Sequence, residues 1–110
     1  MEQSANYETR RSFLETQLTE QEAICKAKKE YLEAVQAEAL QKQFDLTELN
    51  NPTFFQRRFG NLRKKKDAAW AAYQEVCLRL DQAKLDLEEQ NDRLAQLKAE
   101  YQAILAKKEL

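Results

Sequence analysis

NNPTFFQRRFGNLRKKK, residues 50–66, is the one stretch of this chain that does not read as uninterrupted helix. It holds the single Pro (Pro52), the single Gly (Gly60), three of the five Phe and six of the eighteen basic residues. The ring of Pro52 clashes with a helical Asn51, so a first helical arm must stop near Asn50. Asn51 reads as an N-cap with Pro52 at the first helical position, and Gly60 as a left-handed stop. Pro52–Phe59 is therefore expected as a short helix of about two turns. Asn61 is placed to cap a second long arm.

Working outward, the rest of the chain is built from helix formers. Ala, Leu, Glu, Lys and Arg make up 62 of the 110 residues. A share above about half, with helical periodicity, marks a coiled coil or long helix. With one Gly and one Pro, the chain has one place to turn back. The expectation is a single elongated all-α domain with a narrow seam: arm 1 over about residues 6–50, a tip over 51–61 and arm 2 over about 62–108.

Each arm carries one apolar stripe. Stepping alternately by four and three along arm 2 reaches Ala69, Tyr73, Val76, Leu80, Ala83, Leu87, Gln90, Leu94, Leu97, Tyr101 and Ile104, with Gln90 the one polar exception. That 3.5-residue period keeps a stripe facing a partner helix. Arm 1 gives Leu14, Leu18, Gln21, Cys25, Lys28, Leu32, Val35, Ala39, Lys42, Leu46 and Leu49. Gln21, Lys28 and Lys42 interrupt it, and Lys can lay its methylenes on a seam while its ammonium stays wet. Ser12 with Glu15 fits a capping box, although Ser4 and Asn6 offer earlier starts.

Two similar arms joined at one break predict an antiparallel hairpin rather than an extended helix that dimerises in parallel. One hairpin leaves part of each stripe uncovered at Ile24, Tyr31, Trp70, Leu78 and Leu85. Self-association into a larger bundle, or a helical partner, is expected there. Within AAWAAY, residues 68–73, small alanines let a helix approach closely. Trp70 and Tyr73 then form either a packing layer or an anchor for another protein.

The residue inventory argues against catalysis. The chain has no His, which removes the commonest acid–base group and metal ligand. One Gly cannot build a phosphate-cradling loop. The acidic residues fall at Lys- and Arg-pairing distances, such as Glu22 with Lys26 and Glu75 with Arg79. No cofactor and no metal are expected, and the protein is expected not to be an enzyme. Cys25 and Cys77 lie equally far from residue 51, so a sharp fold there would oppose them. A turn spread over 50–61 separates them by several residues, and two free thiols are expected.

Charge is unevenly distributed. Residues 1–50 carry net −4, residues 51–66 net +6 and residues 67–110 net −3. Phe55 and Phe59 continue the arm 2 stripe backwards through Lys66 and Leu62. With Phe44, Leu46 and Leu49 they are expected to close the hairpin. Phe54 is left over, beside Arg57, Arg58, Arg63, Lys64, Lys65 and Lys66. Those seven residues form a candidate partner-binding tip; Ile24, Tyr31, Trp70 and Tyr73 are the candidate interface residues on the arms. Basic residues with an exposed Phe also suit an anionic membrane surface, whereas two acidic arms would repel a long duplex of nucleic acid. No apolar run is long enough to span a membrane and no signal-peptide core is present. A cytoplasmic protein is expected, or one exported without a cleaved signal.

The outline resembles small secreted helical hairpins with Trp-x-Gly in the turn, and the antiparallel stalk proteins of type III export. Here Arg58 occupies the Trp position before Phe59 and Gly60, and Tyr101 is followed by Leu105 where an acidic residue would complete the export signal of the first group. The resemblance is one of shape and assigns no family. What it implies is a small helical chaperone or partner of a secretion system, beside the structural or adaptor module that the stripes themselves suggest.

Overall fold

In the computed structural model, residues 2–50 and 62–109 are described, with side chains over 6–50 and 62–107. They form two helices, α1 (Glu2–Asn50) and α2 (Leu62–Glu109), and no strand occurs among the described residues. The chain is an all-α hairpin of two long helices that pack against each other. α1 is described as far as Asn50, and the expected stop before Pro52 falls where the described residues end. The expected short helix Pro52–Phe59, its cap Asn51, its stop Gly60 and the cap Asn61 lie outside the described residues.

The chain divides into two compact units, one of Met1–Lys29 with Leu85–Leu110, the other of Glu30–Lys84. In the first unit, Tyr101 meets Glu15, Gln90 meets Gln21 and Asp86 meets Lys28. Numbers rise on α1 as they fall on α2, so the helices run antiparallel. In the second unit Arg79 meets Glu38, and one groove joins Gln36, Leu40 and Gln43 to Tyr73, Cys77 and Leu80. The direction is again antiparallel.

All eleven stripe positions on each helix are buried or half-buried. In the first unit the core is Leu14, Gln21, Cys25 and Ile104. In the second it is Val35, Val76 and Ala83, with both valines 2% exposed. Burying one such valine contributes about 1.5–3 kcal/mol, and β-branching holds it in one rotamer against the facing helix.

Three details differ from the sequence reading. Ser12 is no N-cap: α1 starts at Glu2, the Ser12 carbonyl accepts Thr16 Oγ1 at 3.0 Å, and Glu15 faces Tyr101 instead of reaching back. Lys28 does more than snorkel, because its Nζ lies 2.7 Å from Asp86 Oδ2. Arg79 reaches Glu38 on the other helix at 2.7 Å, with Glu75 on its own helix adding only to the electrostatic pull. Cys25 and Cys77 are both free, as expected: Cys25 is buried against the Gln90 carbonyl and Cys77 lines the groove of the second unit.

Candidate interaction surface

A helix pair buries a stripe about two side chains wide, so apolar residues just outside the stripe stay uncovered. The exposed apolar residues of the second unit include Leu40 and Phe44 of α1 and Trp70 and Leu78 of α2; Leu40 and Trp70 directly follow a stripe residue, whereas Phe44 and Leu78 lie two positions from any, on the outward side of their helices. They are 67%, 56%, 52% and 70% exposed. The Trp70 and Tyr73 rings lie 5.9 Å apart, tilted by 35°. Tyr73 hydrogen-bonds the Cys77 thiol, which raises the phenol pKa above its ordinary value. Tyr73, Cys77 and Leu40 line one groove of about 380 Å³. Leu40 and Trp70 therefore belong to one flank of this unit.

Tyr31 is elsewhere. It precedes the stripe residue Leu32 as Glu38 precedes Ala39, and its phenol is felt electrostatically at Arg79. Tyr31 thus sits on the Glu38–Arg79 flank and does not share a face with Trp70. In the first unit, the half-exposed Ile24 lines a separate groove with Gln17, Gln21, Arg93 and Leu97. Sequence periodicity grouped Ile24, Tyr31 and Trp70 as one edge; contacts within the second unit separate Tyr31 from Trp70. Leu40 escaped notice and Phe44 was assigned to the tip. The signal that finds Leu40 is the pairing of Glu38 with Arg79, which brings it level with Cys77.

The apolar flank is neutral at its centre and charged at its ends. Gln36 and Gln43 line the groove, while Arg63, Lys64 and Lys65 are exposed at the start of α2 and Lys66 is half-buried. Glu30, Glu33 and Asp81 are exposed at the opposite end of the same unit. The basic run is electrostatically misplaced for its own helix. The first turn of α2 contains no acid and the last turn of α1 no base, whereas the helix dipole favours the reverse at both ends. A local rule broken this way points to a use beyond helix stability. Phe54, Arg57 and Arg58, the rest of the expected tip site, lie outside the described residues.

Among the described residues no group of His, Cys, Asp or Glu could hold a metal ion, and no helix is long and apolar enough to cross a membrane. No family model, curated protein or solved structure matches the chain.

Proposed function

We propose that this chain is a non-enzymatic helical-hairpin module, structural or adaptor in role, that binds a helical protein through one flank of the unit Glu30–Lys84. The observation that carries the reading is the groove of the second unit, bordered by Leu40 and Trp70, each more than half exposed beside a seam already filled. Exposed large apolar side chains beside a groove are what a helix-in-groove contact uses. Trp at the edge of such a patch is a characteristic anchor. The absence of any His leaves the chain without the commonest acid–base group, which agrees with a binding role.

The test is photo-crosslinking in the source cells, with benzoylphenylalanine placed at position 40 or 70 and, as controls, at the exposed positions Glu8 and Glu22. The reading expects one helical protein to be captured from positions 40 and 70 and not from the controls. Equal capture from all four positions, or none, overturns it.

Arg63, Lys64 and Lys65 also support a second reading, a peripheral binder of an anionic membrane surface. That reading expects the chain to float with phosphatidylserine vesicles and to lose flotation when Lys64–Lys66 are changed to Gln.

A further inference from the structure

We draw no further inference here: the strongest candidate, the groove of the second unit that Leu40 and Trp70 border, belongs to the surface already described, and nothing in the structure shows which chain covers it.

Discussion

Gln21 and Gln90, each a polar break in its helix's apolar stripe, hydrogen-bond each other. Gln21 Nε2 donates to Gln90 Oε1 at 2.9 Å and to the Gln90 backbone carbonyl at 3.0 Å. The Cys25 thiol donates to the same carbonyl at 3.3 Å, and Gln21 Nε2 also lies 3.7 Å from its sulfur. Gln21 is 4% exposed, so this is a polar layer inside the seam of the first unit. An unsatisfied buried amide is costly, and sliding either helix would strand both glutamines. The layer therefore defines which residues of the two helices face each other, as a buried polar pair does in coiled coils.

Replacing one glutamine should be harmful and replacing both should not. Q21L leaves Gln90 without its side-chain partner and should destabilise the first unit by about 1–3 kcal/mol. Q21L/Q90L should recover most or all of that loss. With spin labels on Glu22 and Glu88, electron–electron distance measurements should show one narrow distribution in the wild type and a broader one in the double variant. A double variant as unstable as the single, with a distribution as narrow as wild type, would remove the alignment role.

Val76 and Leu78 are two residues apart on α2 and should respond oppositely to truncation. V76A removes two methyl groups from a 2% exposed site facing α1 and should cost about 2 kcal/mol in urea unfolding. L78A truncates a larger side chain that is 70% exposed, and should leave the hairpin's own stability within about 0.5 kcal/mol.

Stability should fall on the alkaline side partly through Tyr101. Its hydroxyl donates to Glu15 Oε1 at 2.7 Å, and this bond to a carboxylate raises the phenol pKa above its ordinary 10.0. A folded-state pKa above the unfolded one means the contribution is fully present below about pH 10 and is lost as pH rises through the raised value. Arg11, held by Tyr7 and lying 3.4 Å from Glu15, belongs to the same network. Y101F should lower the melting temperature at neutral pH and flatten its decline above pH 10. An alkaline decline identical in Y101F would exclude the contact as its source.

The two thiols should react in two phases. Cys77 is half-exposed in a groove, whereas Cys25 is buried and bonded to a carbonyl. One equivalent of an aromatic disulfide reagent should react quickly with native protein and the second only on unfolding. C77A should abolish the fast phase and C25A the slow one.

Much of the fold was legible without coordinates. The stepping by four and three found every buried residue among the described ones, because a helix's period depends only on its own geometry. A stop near Asn50 was expected from the proline two residues later, a purely local clash whose outcome lies outside the described residues. Ser12 misled because a Ser-x-x-Glu pattern is also ordinary helix interior. The candidate surface was half legible: Trp70 was singled out, but Leu40 was not, and Tyr31 was grouped with Trp70 although the second unit places them on different flanks.

The sequence by itself determined that there are two helices, which stripe each would bury and where the first must end, since these depend on local sterics and on a repeat within one chain segment. Only the tertiary structure decided that Gln21 meets Gln90, that Lys28 meets Asp86 and that Leu40 and Trp70 share a flank. Two stripes of the same 3.5-residue period match equally well after a shift of one heptad. The offset is chosen by the few side chains that break the period and must find each other in the seam.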